Sequence, residues 1–338
     1  MNENTVTIRQ AAEAYLESVQ SARRLNTFKS YKNAINLFLE LLTHNDISIT
    51  DHAAALPDES IVWAIEVLND YSIATERLYL TAISGFFEFL FAEQIASPNL
   101  PRIKSIIARR ARRPMQRLPQ FPKDNIEKIL EYAINIVVPE SIDNISPAVI
   151  LRILRDKAFL LVLADTGLRV HEACNLDRGN IDWAEAKAIV EIKGGRESVV
   201  RFSVRSLAAL RAYIAARSSL DGASGKPLSS LPLFARHDRG AGKKIKRITT
   251  TTGRNIINQY VGETLGSDAI GTITPHSFRH YFVTIVLKAS GNLKLAQELA
   301  RHRNIAVTQR YAHLSDDELD RGYHHIFNQP ENPEPVTC

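Results

Sequence analysis

Apolar residues in the first hundred positions recur at helical spacing. Ile8, Ala11, Ala12, Tyr15, Leu16 and Val19 share one face. Over residues 27–42, Phe28, Tyr31, Ile35, Phe38, Leu39 and Leu42 form a second stripe, with Asn26 or Thr27 as its cap. A third helix is predicted over 57–70. A fourth, over 72–92, has Leu78, Leu80, Ile83, Phe86, Phe87, Leu90 and Phe91 as its core, and the prolines of SPNLP end it near residue 101. The pattern predicts an all-helical domain over residues 1–101.

From 102 to 121 the pattern breaks. Arg102, Lys104, Arg109, Arg110, Arg112, Arg113 and Arg117 occur there without one acidic residue, and Pro114 and Pro119 punctuate the run. A solvated interdomain linker explains such a run. A linker lying along a phosphate backbone, where each cation displaces condensed counterions, explains it better in the context developed below.

The second domain is expected over 122–328. A helix with Asp124 as N-cap opens it, followed by an apolar helix over 151–165 that Gly167 terminates. LRVHEACNL gives a further helix. Alternation then predicts strands at 188–192 and 198–204, joined in a hairpin across Lys193-Gly194-Gly195-Arg196. Helices return at 206–217 and 250–265, separated by a loop-rich segment, 220–248, with a basic patch at Lys243, Lys244, Lys246 and Arg247. A last helix is predicted at 316–327, and the tail 329–338 is too polar and Pro-rich to fold alone. The fold class is therefore mainly α with a small antiparallel β-sheet.

Composition adds little to this picture. The 338 residues suffice for two cores, and no apolar run approaches the roughly 18 residues of a membrane span. The N-terminus lacks the basic-then-apolar form of a signal peptide, and two cysteines make no disulfide framework, so a cytoplasmic, reducing setting is expected. A net charge of +5 is mild; where the cations cluster says more.

They cluster within 274–311, TPHSFRHYFVTIVLKASGNLKLAQELARHRNIAVTQRY, which holds His276, Arg279, His280, Arg301, His302, Arg303, Arg310 and Tyr311. Thr274 and Pro275 make a helix start, which places His276 and Arg279 at a positive helix end suited to an anion. His276 and His280 are spaced for zinc, but neither an HExxH glutamate nor a cysteine pair accompanies them, so no metal is expected. Taken singly the other pieces are ordinary. Arg169 and Glu172 three apart commonly make a surface ion pair, Lys193 is a typical turn lysine, and Tyr311 is a typical packed aromatic.

Taken together they are specific. TGLRVHEACNL around Arg169, Lys193 in the hairpin, PHSFRH with His276 and Arg279, then His302 and Tyr311 fall in the order of the tyrosine recombinases, or phage integrase family, which residues 121–327 resemble. The N-terminal helices resemble that family's core-binding domain. One departure stands beside His302: the family often has Leu-Gly-His, whereas this chain has Leu299-Ala300-Arg301-His302.

The resemblance implies a site-specific recombinase that cleaves and rejoins double-stranded DNA through a 3′-phosphotyrosyl link. Tyr311 would attack the phosphate and free a 5′-hydroxyl. Arg169 and Arg279 would grip its oxygens, with His302 adding a hydrogen bond. Lys193 would protonate the leaving oxygen, His276 would assist proton transfer at the tyrosine, and Glu172 would orient the set. Arg109, Arg110, Arg112, Arg113, Lys243 and Lys244 are the candidate DNA contacts. No cofactor, ATP or divalent metal is implied. The family fold implies a C-shaped clamp and a tetramer on synapsed DNA, with helix 316–327 docking on a neighbouring subunit. A mobile-element integrase or resolvase is the favoured role. A Xer-like chromosome-dimer resolvase, a type IB topoisomerase-like nicking-closing enzyme and a DNA-binding protein with a vestigial core are the alternatives.

Overall fold

The computed structural model describes residues 6–23, 25–112, 122–136, 146–192, 195–238, 240, 244–302, 305 and 308. The chain divides into two compact units, Met1–Arg117 and Leu118–Cys338. No described helix is long and apolar enough to cross a membrane.

The first unit consists of α1 (Ile8–Ala22), α2 (Leu25–His44), α3 (Ser60–Leu68), α4 (Ile73–Ala92) and α5 (Leu100–Arg110). Thr7 and Ser72 cap α1 and α4 by accepting from backbone N–H groups three residues on. α2 begins at Leu25, so Asn26 and Thr27 lie inside it rather than capping it. Ile8, Tyr15, Ile35, Phe38, Leu42, Phe86, Phe87 and Leu90 form the core. Phe38 meets Phe86 and Phe87 edge-on, with ring centroids 6.4 and 5.9 Å apart. Each such buried ring is worth about 1.5–3 kcal/mol over leaving it in water. α1 and α4 approach closely at Gly85, where a Cβ would stand 2.5 Å from the Tyr15 hydroxyl. Leu78 and Phe91, expected in the core, are exposed. They are two of the seven core positions predicted on this helix, which has only one inward stripe.

The linker expected from residue 102 is overturned at its start. Residues 100–110 are helical, because Asn99 accepts from Arg102 N–H at 3.0 Å and Pro101 lies in the first turn, where its missing N–H costs nothing. Ile103 is fully buried against the first unit's core. Arg102 pairs with Glu59 at 2.5 Å and Lys104 with Glu88 at 2.8 Å. These two cations, without acids nearby in sequence, find them in space.

The second unit opens with α6 (Lys123–Asn135), where Asp124 lies in the first turn and Pro122 holds the cap position without a side-chain bond. The long apolar α7 (Pro147–Thr166) and short α8 (Val170–Asn175) follow. Then come strands β1 (Ile181–Asp182), β2 (Lys187–Ile192) and β3 (Arg196–Arg201), an antiparallel sheet in that order with Ala188 facing Val200 and Val190 facing Ser198. The two-residue pleat buries Ala188, Val190 and Val200 and leaves Ile189 and Val199 exposed. Residues 202–204, expected at the end of a strand, instead start α9 (Val204–Ala216), because Ser203 caps it. After α10 (Ser218–Gly222) come α11 (Thr250–Leu265), α12 (Pro275–Ser290) and α13 (Leu293–Ala300).

Part of the loop-rich 220–248 segment enters the core. Leu231, Leu233, Phe234 and Ala235 are buried, and Phe234 meets Phe159 of α7 edge-on at 5.1 Å. Arg217, fully buried at the end of α9, donates to the carbonyls of Pro232 and Leu233 and to the Tyr213 hydroxyl. Arg247, read as part of a basic patch, donates to the carbonyls of Cys174 and Leu176 and to Asp177. These guanidiniums satisfy irregular backbone that has no ladder of its own.

Candidate active site

Two helix ends and two helix beginnings meet at the site. α7 stops where Gly167 takes the left-handed turn, φ 60°, and a Cβ there would come within 2.4 Å of the Phe282 ring. Arg169 is the N-cap residue of α8, and Glu172 reaches back to it: Arg169 N–H donates to Glu172 Oε2 at 2.9 Å and its Nη1 to Oε1 at 2.8 Å. The i,i+3 pair predicted from sequence thus forms as a cap. Glu172 is fully buried in its side chain, whereas the Arg169 side chain is 40% exposed. Burial pushes the Glu172 carboxyl up, but the Arg169 N–H, the Arg169 guanidinium and Arg301 together hold it below the usual range.

α12 begins as the sequence predicts. Thr274 is its N-cap, Thr274 N–H donates to Ser277 Oγ at 3.1 Å, and Pro275 takes the first helical position. His276 stands in the first turn. One turn further, Arg279 is 2% exposed; it donates from Nη1 to the Gly167 carbonyl at 2.5 Å and from Nη2 to the Ala300 carbonyl. The two signature arginines therefore differ. Arg169 faces outward, and Arg279 ties the ends of α7 and α13 together.

α13 ends at Arg301, whose φ of 57° and ψ of 42° put a non-glycine residue in the left-handed region. That conformation costs a non-glycine residue roughly 1–2 kcal/mol. The backbone is thus the one glycine favours, with an arginine made to adopt it. His302 follows directly, and its Nδ1 is 2.9 Å from the Thr308 hydroxyl. A hydroxyl donating to Nδ1 leaves Nε2–H to donate outward. Thr308 is fully buried and carries no motif signal. Only its contact with His302 reveals it.

The imidazoles are held neutral. Burial lowers His302 to about 4, helped by Arg279, Arg169, His276 and His280. Burial and His276 lower His280 to about 4, and burial with Arg279 and Arg169 lowers His276. His276 and His280 stack edge to face with centroids 4.4 Å apart. Away from the site, burial and Arg155 lower His237 to about 4. The ring resonances of His237, His280 and His302 are therefore expected to show no inflection between about pH 5.5 and 7.5, followed by NMR on the free protein. A midpoint near 6.5, the ordinary value, would contradict the buried placement. Unfolded rings take up protons below about pH 6.5 and these folded ones only near 4. Their contribution to stability is complete above 6.5 and lost as pH falls toward 4.

Of the predicted catalytic set, Arg169, His276, Arg279 and His302 lie together, with Glu172 beneath them. Lys193, Tyr311, Arg303 and Arg310 lie outside the described residues, as do Arg113 and Lys243. The predicted helix 316–327 and tail 329–338 are also outside them. Among the predicted DNA contacts, Arg109, Arg110 and Lys244 are exposed. Arg112 is not available: its Nε is 2.5 Å from the fully buried Glu76 carboxylate, and its Nη2 donates to the carbonyls of Leu68 and Tyr71. It ties the chain just after α5 to α4 and to the end of α3.

Residues 121–318 match the phage integrase family model. Over 318 residues the chain is 29% identical to tyrosine recombinase XerC of Treponema denticola, covering 92% of this chain and 96% of that one. It is 29% identical over 303 residues to XerD of Oceanobacillus iheyensis, covering 88% and 91%. The fold is shared with the XerH site-specific recombinase solved on palindromic difH DNA, at TM-score 0.66 and 15% identity over 96% of this chain and 85% of that one. It is shared also with a lambda integrase dimer on a COC′ core site, at TM-score 0.59 and 16% identity over 91% and 95%. The chain belongs to the phage integrase family, the tyrosine recombinases, and its activity is site-specific cleavage and rejoining of DNA strands.

Proposed function

We propose that Tyr311 attacks the scissile phosphate, forming a 3′-phosphotyrosyl link and freeing a 5′-hydroxyl, and that two such exchanges on paired duplexes recombine them. The observation that carries this is the convergence of Arg169, His276, Arg279 and His302. In-line displacement at phosphorus needs charge stabilisation on the non-bridging oxygens and proton transfers at both ends. Arg169 presents a permanently charged fork, and Arg279 backs it. His302 donates from Nε2. His276, neutral at pH 7, accepts the tyrosine proton. Lys193 protonates the leaving 5′-oxygen. The link stores the bond, so rejoining needs no ATP.

Arg109 and Arg110, in the last turn of α5, and Lys244 then contact backbone phosphates; the first two have no acidic partner among the described residues. The active assembly is a cytoplasmic homotetramer on two synapsed sites, and the role is to integrate, excise or resolve a mobile element. A chromosome-dimer resolvase is the second role, supported by the near full-length match to XerC and XerD.

The test is a plasmid carrying two copies of a site selected by the protein from random duplexes. Recombinant products are expected. Relaxation of supercoils without any recombinant would instead make the chain a nicking-closing enzyme.

A further inference from the structure

Arg301 departs from the family pattern, and its surroundings say what it does. Its side chain is 4% exposed and runs into the junction where α7 and α13 end. Nη1 lies 3.4 Å from the Thr166 carbonyl and 3.2 Å from that of Leu299. Nη2 lies 3.2 Å from the Gly167 carbonyl and 3.4 Å from Glu172 Oε2. Nε is buried with no partner. Two of these acceptors are already held by signature arginines. Gly167 O also takes Nη1 of Arg279, and Glu172 also takes the backbone and side chain of Arg169.

We infer that Arg301 is a positioning residue for the cleavage reaction, acting on Arg169 through the shared Glu172 carboxylate and on Arg279 through the shared Gly167 carbonyl. The inference rests on the site proposed above. A buried carboxylate with one cation draws that cation inward. With a second cation on Oε2, part of its charge is met from behind, and the Arg169 fork stays available to an incoming phosphate. The three carbonyls belong to two helix ends, where backbone acceptors lack intrahelical donors and the dipoles are negative. A guanidinium there holds both ends in register, and the second of them leads directly into His302. The contacts at 3.2–3.4 Å are long, as expected of one planar group spread over four acceptors. Their value is in placement and charge.

A merely space-filling arginine would predict something different. Any bulky apolar replacement would then be as good as the native residue.

The experiment measures single-turnover formation of the covalent adduct on a nicked suicide duplex, with DNA affinity read in parallel by gel shift. Arg301→Met, which keeps the bulk and removes the charge, is expected to slow adduct formation about tenfold, as loss of an outer partner does elsewhere. DNA affinity should stay within about twofold. Arg301→Lys is expected to recover most of the rate, and Arg301→Gly to fall with Arg301→Met. In a Glu172→Gln background, Arg301→Met should add less than its effect alone, because both act on one group. Wild-type cleavage by a folded Arg301→Met or Arg301→Gly protein would overturn the inference, as would losses from Arg301→Met and Glu172→Gln that simply multiply. If Arg301→Met does not fold, the Lys and Gly variants decide the matter by the same criteria. Failure of the wild-type protein itself to form an adduct would refute the site assignment and is distinguishable from all of these.

Discussion

Tyr311→Phe is expected to abolish the covalent protein–DNA adduct, a fall of at least about 10⁴-fold, while duplex affinity changes by less than about threefold. The size of the effect follows from the chemistry. In the proposed mechanism the phenol oxygen is the atom that bonds to phosphorus, so its removal leaves no slower version of the same step. The arginines and imidazoles that bind the phosphate remain, and affinity is spread over many backbone contacts of which the hydroxyl is one. An unmodified tyrosine has a pKa near 10 and is a poor nucleophile at neutral pH. In the proposed mechanism the charges of Arg169 and Arg279 would favour its phenolate, and His276, held neutral, would take the proton. The readout is a denaturant-stable adduct on a suicide substrate whose nick traps the intermediate. An adduct that persists in Tyr311→Phe would remove Tyr311 from the mechanism, and the nucleophile would have to be sought among the other residues of 274–311.

The parts of this protein that could be read from sequence were those whose reasons are local. Helix α11 falls at the predicted 250–265, and the Gly167 stop and the Thr274-Pro275 start are formed by the residues that announced them. The antiparallel strand pair falls close to where alternation predicts it, the second strand starting at Arg196 and ending at Arg201. What failed depended on partners distant in sequence. Residues 102–110 looked like a linker because their acids, Glu59 and Glu88, are supplied by other helices, and Arg112 looked free because Glu76 is 36 residues away. Arg247 looked like part of a basic patch, yet it satisfies backbone carbonyls that pattern alone cannot place. In the site, residue types and order indicated the chemistry. They did not separate the exposed Arg169 from the buried Arg279, find Thr308 behind His302, or show that Arg301 keeps a glycine-like backbone while sharing Glu172. Each of those is a matter of which carbonyl or carboxylate a side chain meets after the helices pack.

The exposed and buried arginines also differ in what their loss should do. Arg169→Ala is expected to slow cleavage by roughly 10³-fold with little loss of fold, the range seen when one preorganised donor to a developing oxyanion is removed. Its side chain is 40% exposed and, among the described residues, makes one ion pair, to Glu172. When it is truncated, Glu172 keeps the backbone N–H of residue 169 and the Nη2 of Arg301, so the buried carboxylate is not stranded. A cost of about 1–2 kcal/mol is expected, rather than the 3–5 of an orphaned buried charge. Arg169→Lys should fall between, keeping the charge but losing the fork that meets two oxygens at once. Arg279→Ala should behave differently, since it releases the Ala300 carbonyl in the interior and leaves that of Gly167 to Arg301, and so lowers the melting temperature along with the rate. Adduct kinetics and thermal melts on the same three proteins check this. If Arg169→Ala melts as early as Arg279→Ala, Glu172 depends on Arg169 alone, and the second cation on its carboxylate contributes nothing.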